Sequence, residues 1–97
     1  MARKIIWSSQ ALSDLTEIVD YISKDSHFYA ASLARELRDA SRSLSELSER
    51  GRIVPETDQP FIREIFVGRY RLIYKIEESR IIILTIIHGA RDGHPLS

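Results

Sequence analysis

Apolar positions change their spacing midway along the chain. Between Leu12 and Ile22 they fall at Leu12, Leu15, Ile18, Val19 and Ile22, steps of three and four that line one face of a helix. Ser8 and Ser9 precede this run, and either hydroxyl can accept from an open N–H of the first turn. The pattern predicts a helix from Ala11 to near Lys24, and Asp25 and Ser26 offer the next cap. Ala30, Leu33, Leu37, Ala40, Leu44 and Leu47 then repeat at alternating steps of three and four. So narrow a stripe predicts a second, longer helix and suits an antiparallel helical hairpin. Gly51 is the expected C-cap, and Arg52 to Pro60, with two Pro, reads as a loop. Tyr21 and Tyr29 bracket the turn of the hairpin and are expected to pack the helices together there.

After Pro60 the period drops to two. Phe61 to Val67, Arg69 to Glu77 and Arg80 to His88 predict three consecutive strands, turning at Gly68 and at Glu78-Ser79. In the middle strand Tyr70, Leu72, Tyr74 and Ile76 share one face, while Arg69, Arg71, Ile73 and Lys75 share the other. The last strand is apolar on both faces and so belongs in the middle of a sheet. Lys4 to Trp7 is a short β-prone run that can supply its missing neighbour by parallel pairing, with the helices as the crossover. Trp7, Tyr70 and Tyr74 are expected in the core or at its edge.

The predicted architecture is therefore α+β. An N-terminal strand, an antiparallel helical hairpin and a three-stranded antiparallel meander form one small sheet, with helices on one face and an Arg-bearing face opposite. Five of the seven Ala lie between Ala11 and Ala40, and nine of the fourteen Ile lie at or after Ile62, which agrees with that division. Neither half can bury a core alone, so residues 1–97 read as one domain, with 92–97 as a candidate flexible tail.

Charge narrows the functional classes. Fourteen basic and fourteen acidic side chains sum to zero, which argues against holding nucleic acid by bulk electrostatics but leaves room for a local basic face. Eleven of the fourteen basic residues are Arg, the residue of bidentate carboxylate and phosphate recognition. The absence of Cys excludes thiol catalysis and thiolate metal sites, and makes a reducing cytoplasm the expected compartment. The N-terminal apolar run is too short for a signal peptide, and Ile81 to Ile87 is too short for a membrane span.

Three Arg have reason to lie near one another: Arg63 and Arg71 on paired strands, and Arg91 just beyond the last strand. A solvent-facing sheet rimmed by their guanidinium groups would seat an acidic peptide or phosphates. The alternative is that Arg63 and Arg71 pair across strands with Glu64, Glu77 or Glu78. His88 ends the last strand and His94 lies in the tail. Neither has a partner at metal-ligand spacing, so no metal and no cofactor is expected. Arg35, Arg38 and Arg42, interleaved with Glu36, Asp39 and Glu46, read as a solvated helix face.

Four segments in order complete the picture. Ser9-Gln10-Ala11-Leu12-Ser13-Asp14-Leu15-Thr16-Glu17-Ile18-Val19-Asp20-Tyr21-Ile22, then Arg63-Glu64-Ile65, then Gly68-Arg69-Tyr70-Arg71-Leu72-Ile73-Tyr74-Lys75-Ile76, and finally Ile86-Ile87-His88-Gly89-Ala90-Arg91-Asp92 together resemble the RelE/ParE superfamily of bacterial toxins from type II toxin–antitoxin modules. The resemblance spans nearly the whole chain and is more specific to the superfamily than to a branch within it. It implies a RelE/ParE-like fold, growth inhibition, a role in plasmid stabilization, and a cytoplasmic protein held in a hetero-oligomer by a cognate antitoxin. RelE-like members are ribosome-dependent endoribonucleases that cut messenger RNA, whereas ParE-like members poison DNA gyrase.

Cutting RNA through its 2′-OH needs a general base, a general acid and cations around the phosphorane. The resemblance places Arg71 and Arg91 where RelE-like enzymes carry catalytic or phosphate-binding Arg, with His88 and His94 as further candidates. The C-terminal segment, however, has no Tyr, Lys is scarce there, and the chain is neutral. These departures, the long helical hairpin and the His-Gly-Ala-Arg-Asp ending favour the ParE-like branch. On that reading the protein is a binding inhibitor with no catalytic residues, and Arg63, Arg69, Arg71 and Arg91 are the target-contact candidates. Leu15, Ile18, Ile22, Leu33, Leu37 and Arg71 are the antitoxin-contact candidates. A RelE-like nuclease acting on the ribosome and mRNA is the alternative, and a non-toxic protein-interaction module is the second.

Overall fold

A computed structural model describes residues 2–89. The chain runs β1 (Lys4–Trp7), α1 (Ser9–Ser23), α2 (His27–Ser43), β2 (Arg52–Ile53), β3 (Ile62–Val67), β4 (Tyr70–Ile76) and β5 (Arg80–His88). The five strands make one sheet in the order β1-β5-β4-β3-β2. The predicted class is thus observed, with one strand more than expected: β2 lies inside the segment read as a loop and pairs antiparallel with β3, Arg52 opposite Glu64. β5 sits between β4 and a parallel β1, with Ile5 opposite Ile81 and Trp7 opposite Ile83. The apolar β5 takes that central place with both of its edges paired, its Ile81, Ile83 and Ile86 in the core under the helices and its Ile82 and Ile87 half-buried on the other face.

Each helix begins where a serine can serve its open N–H groups. Ser8 Oγ accepts from Ala11 N at 3.0 Å and donates to the Leu84 carbonyl at 2.9 Å, so one hydroxyl caps α1 and ties its start to β5. Ser26 Oγ accepts from Tyr29 N at 3.0 Å at the start of α2.

The second helix stops at Ser43, about two turns short of the expected cap, and Gly51 is not its C-cap. Ser41 and Ser43 turn their hydroxyls back onto the Arg38 and Ala40 carbonyls, at 2.7 and 2.6 Å. Such back-bonding offers the last turn an alternative to continued helix. Leu44 still reaches the core at 0% exposure, but Leu47 is 59% exposed, so the apolar stripe ends at Leu44. Gly51 instead donates its N–H to the Tyr74 hydroxyl, which in turn donates to the Ser48 carbonyl, fastening the loop onto the sheet.

Both helices lie on one face of the sheet. Leu33, Leu37 and Leu44 meet Ile65, Leu72, Tyr74, Ile81, Ile83 and Ile86 in a single core, with Trp7, Leu15, Ile18, Ile22 and Tyr70 partly buried around it. Each such side chain contributes about 1.5–3 kcal/mol by leaving water. Gly68 opens a two-residue hairpin between Val67 and Tyr70 with φ of 58°. Tight hairpins favour turns with positive φ because these match the right-handed twist of the strands. Tyr21 and Tyr29 do not pack the hairpin turn as expected; they are 72% and 56% exposed.

Candidate functional site

The face of the sheet away from the helices carries a buried ion cluster. Register places Glu64 opposite Ile73 and Phe66 opposite Arg71 across β3 and β4, so Glu64, Phe66, Arg71 and Ile73 all project from this face. Arg71 Nε donates to Glu64 Oε1 at 2.7 Å and Nη2 reaches the same oxygen at 2.5 Å. Arg52 Nε donates to Glu64 Oε2, and its guanidinium lies over the Phe66 ring, 5.5 Å from the centroid. Glu56 approaches Arg71 Nη2 at 3.7 Å. The Glu64 side chain is wholly buried and Arg71 is only 7% exposed, whereas Arg52 is 61% exposed.

Gly89 makes room for this cluster. A Cβ there would stand 2.9 Å from Arg71 Cγ and 3.2 Å from Phe66 Cε2. Its N–H donates to the Arg69 carbonyl at 2.7 Å, extending the β4–β5 pairing past His88.

The expected solvent-facing row of Arg is therefore not what folds. Arg71 pairs with Glu64, the cross-strand alternative, and is buried. Arg63 stands opposite Tyr74 and so belongs to the helix-side face. There its Nε and Nη1 donate to the Pro60 and Gly51 carbonyls at 2.8 and 3.0 Å, closing the end of the loop. Arg69 is exposed in the β3–β4 turn. Arg91, His94 and the predicted tail at 92–97 lie outside the described residues.

His88 lies opposite Tyr70, and Arg71 lies opposite Ile87. Of the four nuclease candidates, the two that lie among the described residues thus project from opposite faces of the sheet. His88 packs edge-on against the Tyr70 ring, with centroids 5.3 Å apart. Among the described residues, no group of three or more His, Asp or Glu is arranged to hold a metal ion.

Leu33 and Leu37, at 2% and 0% exposure, are spent on the core and offer nothing to a partner unless the fold opens. Leu15, by contrast, lines an open apolar groove of about 350 Å³ with Trp7, Leu12 and Ala34, and Arg35 and Arg38 stand in its lining. Ile18 and Ile22 continue the half-buried face of α1.

One structural residue escaped the reading of the sequence. Asp14 looks like a solvated helix carboxylate, yet its Oδ2 accepts from Thr85 Oγ1 at 2.6 Å and from Ile86 N at 3.0 Å, while Oδ1 accepts from Gln10 Nε2 at 2.8 Å. The β4–β5 register slips between Ile73 and Tyr74, and Asp14 serves the slipped strand close to that point. Partial burial opposes its charge, but the three hydrogen bonds outweigh burial and hold its pKa below the usual aspartate range. Only the Asp itself was visible beforehand; the bulge that gives it a partner was not.

Comparison with known proteins places this geometry in context. Residues 5–93 match the family model described as the ParE toxin of the type II toxin–antitoxin system parDE. The chain is 37% identical over 89 residues to Toxin RelE2 of Caulobacter vibrioides, covering 91% of this chain and 97% of that one. Among solved structures it is similar to a chain of the chromosomal ParDE system from P. aeruginosa, with TM-score 0.75 and 18% identity over 92% of this chain and 98% of that one. It is also similar to a chain of the RelBE2 toxin–antitoxin complex from Mycobacterium tuberculosis, with TM-score 0.63 and 21% identity over 91% and 99% of the two chains. At these identities the solved structures speak for the fold alone.

Proposed function

The chain belongs to the ParE toxin family of type II toxin–antitoxin systems, and from that premise we propose that it acts by binding DNA gyrase rather than by cutting RNA. The observation that carries this reading is the separation of Arg71 from His88, the two nuclease candidates among the described residues. RNA cleavage needs a cation and a proton-transfer group converging within hydrogen-bond reach of one phosphate. Arg71 and His88 point to opposite sides of the sheet, and the Arg71 guanidinium is already neutralised by a buried carboxylate. A chain with zero net charge also lacks the general basic surface that a ribosome-bound enzyme uses. Arg52 and Arg69, exposed at the rim of the open face, are the guanidinium groups left to contact the target; Arg63 is committed to loop carbonyls, and Arg91 remains a candidate beyond the described residues.

The same reading assigns a cognate antitoxin as partner. Its apolar side chains fit the groove formed by Trp7, Leu12, Leu15 and Ala34 and the adjoining Ile18 and Ile22, and acidic side chains beside them meet Arg35 and Arg38. One specific observation favours the alternative of ribosome-dependent cleavage: the 37% identical relative is named a RelE toxin. The purified chain assayed on gyrase supercoiling and on translating ribosomes decides between them. We expect inhibited supercoiling with intact transcripts; codon-linked transcript cleavage with unimpaired gyrase overturns the proposal.

A further inference from the structure

The ion cluster of the open face has a buried end and an exposed end. Glu64 divides its oxygens between them, Oε1 to Arg71 and Oε2 to Arg52, and the Arg52 contact uses Nε. The Arg52 guanidinium is thus held at two points, by the buried carboxylate and by the Phe66 ring 5.5 Å away, while its side chain stays 61% exposed. Among the described residues its Nη1 and Nη2 atoms meet no second acceptor. The Phe66 ring under it belongs to a residue that is itself 54% exposed.

The other cations of this face do not repeat that arrangement. Lys75 and Arg80 both pair with Glu77, Arg71 is buried, and Lys4 lies on the opposite edge strand of the sheet. Arg69 is exposed in the β3–β4 turn, but among the described residues it has neither an aromatic ring beneath it nor a carboxylate behind it. The ground beside the Arg52 fork is apolar: Ile73 stands opposite Glu64 and Ile87 opposite Arg71, both partly exposed.

We propose that Arg52 and Phe66 together form the contact for a single carboxylate side chain on the target protein; this rests on the reading that the chain binds gyrase. Two parallel N–H groups at the free end of the fork match the two oxygens of a carboxylate, and the methylene stem of that Asp or Glu packs on the Phe66 ring. A run of phosphates would need several such forks side by side and would meet the exposed Glu56 next to Arg71. An apolar partner would seal Arg52 from water with only a carboxylate that it shares with Arg71. Because Glu64 fixes the fork before the partner arrives, less side-chain freedom is lost on binding.

The test measures binding of purified DNA gyrase, without DNA, to the immobilised full chain made by cell-free synthesis. We expect Arg52→Ala to weaken binding about tenfold, as loss of an interface hot spot does. Arg52→Lys should recover little of it, because an ammonium group cannot offer the paired N–H groups. Phe66→Leu should weaken binding less than Arg52→Ala, and Lys24→Ala, which removes one positive charge from the exposed end of the helical hairpin, should leave it unchanged. Glu64→Gln should weaken binding in the parent but not further in Arg52→Ala, since Glu64 acts through Arg52, whereas mere loss of stability would add in both backgrounds. A parent that neither binds nor inhibits gyrase removes the gyrase reading and this contact with it. A parent that binds while Arg52→Ala or Arg52→Lys binds equally well overturns the contact alone, as would tighter binding to duplex DNA than to gyrase or an equal loss with Lys24→Ala.

Discussion

The two faces of the sheet hold themselves together by different physics. The helix-covered face is an apolar contact in which Leu33 and Leu37 pack on Leu72, Ile81, Ile83 and Ile86. The open face is organised around one buried carboxylate and two guanidinium groups, Glu64 between Arg71 and Arg52. Apolar packing tolerates loss in proportion to the volume removed, whereas a buried ion cluster is sensitive to which member is lost. The open face is therefore the more conditional of the two, and its sensitivity is set by exposure: Arg71 cannot be replaced by water, and Arg52 can.

The sharpest way to break this contrast is Arg71→Met, which leaves the buried Glu64 only the largely exposed Arg52 as a charged partner. We expect a loss of about 3–5 kcal/mol in urea unfolding. Most of it should return in the double variant Arg71→Met/Glu64→Leu, because the buried, under-compensated carboxylate goes with it. A cost below about 1 kcal/mol for the single change would mean that the cluster is hydrated.

On the covered face, Leu37→Ala should cost about 3 kcal/mol with an unchanged denaturant slope, as expected for a cavity in a packed core. A variant as stable as the parent would place Leu37 at a surface after all.

Asp14→Asn tests the junction between α1 and β5 and should cost about 1–2 kcal/mol at neutral pH. Because the folded state holds the Asp14 pKa below its unfolded value, its contribution is fully present above the unfolded pKa and is lost as pH falls through the folded one. The parent should thus lose more stability than the Asn variant between roughly pH 5 and pH 2. Parallel stability profiles for the two proteins would remove Asp14 from that role.

The smallest effect is expected for Arg52→Ala, below about 1 kcal/mol, since its side chain is largely in water. Equality with Arg71→Met in the same unfolding measurement would erase the distinction between buried and exposed partners of Glu64.

Much of the fold can be read along the chain because it rests on local periodicity. Steps of three and four from Leu12 to Ile22 make α1, and alternation from Tyr70 to Ile76 makes β4, whatever else the molecule does. The apolar run of β5 even announces its central position. The end of α2 was less legible, since a leucine stripe continues through Leu47 while Ser41 and Ser43 bend their hydroxyls back onto the preceding turn. β2 was invisible for a similar reason: two residues carry no period, and they become a strand only because β3 offers its edge.

The candidate site was legible in its residues and misread in its exposure. Alternation correctly sets Arg71 on the face away from the helices, but period two cannot say whether a face is wet. Leu33 and Leu37 show the converse error, an apolar helix stripe read as a docking surface when the sheet already covers it. Family membership, the α+β class and the order of the elements follow from residue types and spacing, which act over a few neighbours. The pairing of Glu64 with Arg71 and Arg52, the divergence of Arg71 from His88, and the bond from Asp14 to the slipped strand depend on β register and on which elements bury which face. Those are set by contacts between residues far apart in the chain, so they arise only when the whole sheet assembles against its helices.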